Sequence, residues 1–149
     1  MRSKRFQPIQ DIMARSAEEL SRAMAEAAAK LVELERQHEQ LRRYRDEYVQ
    51  KSMIGGGSVD AVRLQNYRSF LDRLGTALRQ CEQAVAAARA EHERRRSEWS
   101  EKRVEAESLG RVVERYRAEE RRAEDAREQH DADETGRRLS ARSAANATE

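Results

Sequence analysis

The 149-residue sequence holds one cysteine, one proline, one tryptophan and two phenylalanines. The lone Cys81 has no partner for an internal disulfide, which fits a reducing compartment. No apolar run is long enough to span a bilayer, and none follows the basic opening MRSKRFQPIQ to make a secretory signal. The expectation is a cytoplasmic protein with no direct membrane insertion. Net charge is also nearly missing, because 30 Lys and Arg stand against 28 Asp and Glu, leaving +2. Only 38% of residues are hydrophobic and 39% are charged, so a compact core with a small surface cannot be built. What remains is rich in Ala, Glu, Arg and Leu, the bias of long helices and coiled coils. Interleaved acids and bases mark a solvated helix surface rather than the one-sign excess of a disordered chain.

Motifs for catalysis and cofactor binding are equally scarce. HEQLR and HERRR begin like the zinc-protease pattern but end in Arg where its second histidine must stand. The HDADE stretch at 130–134 reads as hydrated carboxylates rather than a metal site. GGGS has neither the Lys nor the preceding strand of a phosphate-binding loop. Arg94, Arg95 and Arg96 are bracketed by Glu91, Glu93 and Glu98, so no continuous positive face tracks a nucleic acid backbone. The expectation is no enzyme, no cofactor, no metal and no nucleic acid.

The apolar pattern is informative. From Leu64 it steps through Tyr67, Leu71, Leu74, Leu78, Cys81, Val85 and Ala88, then His92, Arg95, Trp99, Lys102, Ala106, Leu109, Val113 and Tyr116. Steps of three and four alternate, the 3.5-residue repeat of a left-handed coiled coil. The first third repeats it through Phe6, Gln10, Met13, Ala17, Leu20, Met24, Ala27, Leu31, Leu34, His38, Leu41, Arg45 and Tyr48. Helix one is expected from about Pro8 to Met53, a turn over 54–58, and helix two from about 59 to 135, capped by Ser58 with Asp60 in its first turn and stopped at Gly136. Residues 1–136 form one coiled coil, and the aperiodic 137–149 a disordered tail. Glu-to-basic pairs four apart, among them Glu18 with Arg22, Glu39 with Arg43 and Glu107 with Arg111, support the exposed faces.

Gly55, Gly56 and Gly57 are poor helix formers and supply the conformational freedom of a hairpin turn. With Gly56 as fulcrum, seam partners have numbers adding to 112: Tyr48 meets Leu64, Leu41 meets Leu71, Leu34 meets Leu78, Leu31 meets Cys81, Ala27 meets Val85, Met13 meets Trp99 and Phe6 meets Ala106. A slip of one heptad would also keep apolar facing apolar. In this register helix two outruns helix one by about 45 Å. The overhang carries Leu109, Val112, Val113 and Tyr116 with nothing to cover them, so it calls for a partner. Phe70 lies beside the seam and, with Leu74, Ala77, Cys81 and Ala84, makes a second apolar stripe, either folded over the seam or facing another protein.

Four segments, KRFQPIQDIM, LRRYRDEYVQ, NYRSFLDRLGTAL and DAREQHDADETGRRL, in this order and spacing, make the chain resemble the FliJ family of flagellar type III export proteins. The resemblance implies an antiparallel two-helix coiled coil similar to the central stalk subunit of rotary ATPases. It implies a non-catalytic coupler that binds the hexameric flagellar export ATPase, promotes its assembly and activity, and links it to the membrane export gate and to export chaperones. Such a protein serves motility from the cytoplasm, peripherally associated with the inner membrane at the flagellar base, and is a monomer in isolation. The family's gate-contacting face falls on Phe70, Leu74, Ala77 and Cys81. Its acidic, Gln-containing C-terminal signature matches Glu128, Gln129, Asp133 and Glu134, which join the overhang as the ATPase-binding part. Thr135 and Gly136 depart from the usual helix-forming pair there. The alternatives are the equivalent stalk of a virulence secretion system and a self-associating coiled-coil scaffold.

Overall fold

The computed structural model describes residues 1–54 and 60–148. A short helix α1 (Arg2–Arg5) leads into two long ones, α2 (Gln7–Ile54) and α3 (Ala61–Ala147), and no strand occurs among the described residues. Helices α2 and α3 pack against each other as an all-α helical hairpin, the expected fold class. Gly55, Gly56, Gly57 and Ser58 lie outside the described residues.

Local chemistry explains the observed helix ends. Pro8 has no N–H to give the Lys4 carbonyl and its ring crowds that group, so α1 closes at Phe6, whose N–H donates to the Ser3 carbonyl at 3.3 Å. Helix α2 then opens with the Gln10 N–H on the Phe6 carbonyl at 2.9 Å. At the start of α3 the cap is Asp60, expected within the first turn. Its carboxylate accepts the Val62 N–H at 3.0 Å and its carbonyl the Leu64 N–H at 3.0 Å. The expected stop at Gly136 is overrun: α3 continues to Ala147, through most of the segment expected to be disordered. A glycine costs a helix only about 1 kcal/mol against alanine. Here Arg138 donates to Glu134 at 2.7 Å across it, and Arg, Leu and Ala residues follow.

The described residues divide into two units, Ser16–Lys102 and Met1–Arg15 with Arg103–Glu149. In the Ser16–Lys102 unit the seam holds Leu74, Leu78 and Ala88 buried. Leu20, Met24, Leu31, Leu34, Leu41, Tyr48, Tyr67, Leu71, Val85 and Trp99 are half-buried. Half-burial is what two helices alone provide, since each seam side chain is covered from one side only. Leu64, expected opposite Tyr48, is 41% exposed. Tyr48 instead stacks on Tyr67 at 5.5 Å and leans on Phe70 at 4.5 Å. Further along, Arg89 reaches Glu35 at 3.1 Å and His38 Nε2 lies 3.5 Å from Glu82.

These contacts correct the register. The numbers of touching residues add to 115 for Tyr48 and Tyr67, 118 for Tyr48 and Phe70, 120 for His38 and Glu82, and 124 for Glu35 and Arg89, centred about one heptad above 112. Two effects produce the shift. Helix ends at Ile54 and Ala61 already add to 115. Helical side chains also lean toward their own N-terminus, so in an antiparallel pair each meets a partner about two positions further on. The heptad repeat itself cannot oppose the slip, because it again brings apolar to apolar.

In the other unit, Phe6 stacks on Tyr116 with ring centroids 5.6 Å apart, not on Ala106. Val113 is 1% exposed, while Met13, Leu109, Val112 and Tyr116 are half-buried. The stripe expected to lie uncovered is therefore covered, and the exposed part of α3 begins only after Glu120.

Candidate functional site

The stripe that follows the turn is built on about the first six turns of α3. Phe70 packs between Tyr48 at 4.5 Å and Tyr44 at 6.3 Å, an edge-on arrangement favoured between aromatic rings. It is folded over the seam edge and half-buried, while Tyr44 is 52% exposed. Leu74, one turn on, is 7% exposed and belongs to the seam. Ala77 and Cys81 are half-buried, so what this face offers to the outside is Tyr44 with the edges of Phe70, Ala77 and Cys81. Tyr44 went unnoticed in the sequence because it sits off the 3.5-residue repeat. Its spacing of four from Tyr48, on one helical face, was the available signal.

At the far part of α3 the structure separates two groups of residues that the sequence joined. Leu109, Val112, Val113 and Tyr116 lie against the chain's own N-terminal segment, as described. Glu128, Gln129, Asp133 and Glu134 stand on the stretch 121–148, where every side chain is exposed. The charges of that stretch are segregated. Glu124, Asp125, Glu128, Asp131, Asp133 and Glu134 face only Arg127 in the span 124–134, whereas Arg137, Arg138 and Arg142 follow. An acidic band one helical segment long precedes a basic one.

His130, Asp131 and Glu134 bring ligand atoms within 4.8 Å of one another, and all three are exposed. Glu134 is also held by Arg138 at 2.7 Å. Exposed carboxylates beside an arginine are hydrated, and nothing in their surroundings excludes water.

Electrostatics along both helices is dominated by short-range pairs. Glu18 with Arg22 and Glu39 with Arg43 form as expected, at 2.6 and 3.1 Å, whereas Glu107 takes Arg103 at 3.2 Å in place of Arg111. Glu39 accepts from both Arg42 and Arg43, which brings its pKa down to about 2. Glu33 and Glu91 are lowered by Arg36 and Arg94 in the same way. All are exposed pairs, weakened by water and screened by salt. They hold helices rather than build a reactive centre.

Ser3 and Glu120 were missed by sequence reading. Glu120 accepts the Ser3 N–H at 3.0 Å and the Ser3 hydroxyl at 2.5 Å, and these bonds lower its pKa. Ser3 is 6% exposed. No periodicity links two polar residues 117 apart, so only packing reveals them.

An α-helical hairpin with a heptad seam, and no long apolar helix fit to cross a membrane among the described residues, defines a two-helix coiled-coil protein. The chain belongs to the FliJ family: the family model described as flagellar FliJ protein matches residues 2–145. That membership makes it a component of the flagellar, type III export apparatus. Comparison with curated proteins and with solved structures gave no match.

Proposed function

We propose that this chain is a non-catalytic coupler of flagellar protein export, which binds the export ATPase hexamer as a central stalk, promotes its assembly and activity, and connects it to the export gate and export chaperones. The observation that carries this is the family match over residues 2–145, nearly the whole chain. The hairpin fold supports it, since long helices with solvated flanks present extended surface to other proteins.

In this reading the ATPase meets α3 beyond residue 106. Glu128, Gln129, Asp133 and Glu134 are open for contact as the molecule stands, and Leu109, Val112, Val113 and Tyr116 lie beneath the N-terminal segment. The gate contacts the face after the turn, through Phe70, Ala77 and Cys81, with Leu74 supporting them from the seam. The protein works in the cytoplasm at the inner membrane of the flagellar base.

The test is the hydrolysis rate and ring size of the cognate export ATPase with and without this chain. Stimulation together with hexamer formation is expected. No change in either, with the added chain shown to be helical, would refute the coupler and favour a scaffold.

A further inference from the structure

The first six residues are a distinct piece of the Met1–Arg15 and Arg103–Glu149 unit. Helix α1 is a single turn, separated from α2 at Phe6 by the proline two residues on. It is attached to α3 through three points. Ser3 gives its N–H and hydroxyl to Glu120, the Phe6 ring stacks on Tyr116, and the Arg2 guanidinium lies 5.9 Å from the centre of the same ring. One turn before Tyr116, Val113 is 1% exposed. The segment is basic, with Arg2, Lys4 and Arg5, and its anchor is a carboxylate.

A single helical turn is not stable alone in water, because nucleation fixes several residues for one hydrogen bond. Residues 1–6 therefore hold their shape only while docked. Undocking removes few contacts, and Phe6 provides the place to bend. What undocking uncovers is apolar: the face of Tyr116 that stacks on Phe6, one turn from the buried Val113, and the inner face of Phe6.

We infer that residues 1–6 are an autoinhibitory strap, which occupies the apolar face of α3 at Tyr116 and must leave before the ATPase binds there. The inference rests on the ATPase-binding reading above and adds its regulation. The covered state lowers the apparent affinity by the fraction of molecules whose strap is open. Glu120 is the anchor, and its lowered pKa, due first to the Ser3 hydroxyl and then to the Ser3 N–H, marks a carboxylate that gains from being docked.

The experiment uses the full chain with Glu120→Ala, which removes the anchor, and Glu19→Ala, which removes the same charge from an exposed position on α2, away from the ATPase-binding part of α3. Amide hydrogen exchange on the chain alone reads the strap. Binding to the export ATPase hexamer reads the consequence. Glu120→Ala is expected to speed exchange in residues 1–6 and 109–120 with overall helicity kept, and to tighten ATPase binding by about fivefold or more. Glu19→Ala is expected to do neither. Unchanged exchange in Glu120→Ala overturns the strap, and so does faster exchange with binding equal to the wild type's. In both cases wild-type binding leaves the ATPase reading standing. If neither wild type nor variant binds the ATPase, both ideas fall together. Should Glu120→Ala lose helicity, Ser3→Ala, which removes only the hydroxyl, is held to the same outcomes.

Discussion

Helix α3 is used in two ways. Between Ala61 and Glu120 it keeps one face half-buried or buried, with Leu74, Leu78, Ala88 and Val113 in the seam. From Arg121 onward it is helical with every side chain in water. The contrast separates what writes a helix from what packs it. Alanine, arginine and glutamate with pairs such as Glu134 and Arg138 are enough for the first. Only apolar residues every three or four positions achieve the second. A helix left wholly solvated contributes no core to the hairpin and is free to meet another molecule along its full circumference.

The sharpest way to break this picture is at the register of the packed part. His38→Cys should cross-link to Cys81 within the chain under mild oxidation, while Leu31→Cys should not. The reverse result would restore the sum of 112 and leave the stripe at 109–116 uncovered. Next in size is the seam itself. Leu78, 4% exposed, should cost about 2–4 kcal/mol on truncation to alanine. Leu139, 61% exposed on the solvated stretch, should change stability by less than about 0.5 kcal/mol. Equal effects in denaturant melts would erase the distinction between the two regions.

A smaller effect of opposite sign comes from Gly110. A methyl group there meets no atom within 4 Å. Gly110→Ala should stabilise the chain by up to about 1 kcal/mol through helix propensity, read as a raised unfolding midpoint. A loss instead would mean that something must approach that backbone closely. The smallest effect is in the exposed pairs. Glu39 has a folded pKa of about 2 against an ordinary value of 4.5, so its contribution is complete above pH 4.5 and is lost as pH falls toward 2. An acid titration of helicity should decline in that window, and Glu39→Gln should make the decline shallower. An unaltered acid limb in the variant would show that its pairs with Arg42 and Arg43 stabilise nothing.

Much of this molecule was legible beforehand, and the failures have identifiable causes. The period of three and four gave both helices, because burial on one face forces that spacing. The end at Gly136 misled because a helix tolerates one glycine when its flanks are strong helix formers. The overhang was placed ten residues too early on Phe6, which stacks on Tyr116 rather than meeting Ala106, since neither the register slip nor the extra turn α1 leaves a mark in the heptad. Phe70 shows the limit at a site: its place beside the seam was readable, but its packing on Tyr44 and Tyr48 depends on the register. The family itself was readable in four ordered segments, and the match over residues 2–145 bears it out.

By itself, then, the sequence determined the helices, their apolar faces and the family, all of which depend on residues near one another in the chain or on their order along it. The tertiary structure decided which heptad faces which, that Val113 and Tyr116 are covered, and that Ser3 finds Glu120. A heptad pattern repeats itself, so every slip of seven satisfies it. The choice among slips falls to the cap at Asp60, the lean of side chains on antiparallel helices and a few polar contacts between residues far apart in the chain, such as Glu35 with Arg89 and Ser3 with Glu120.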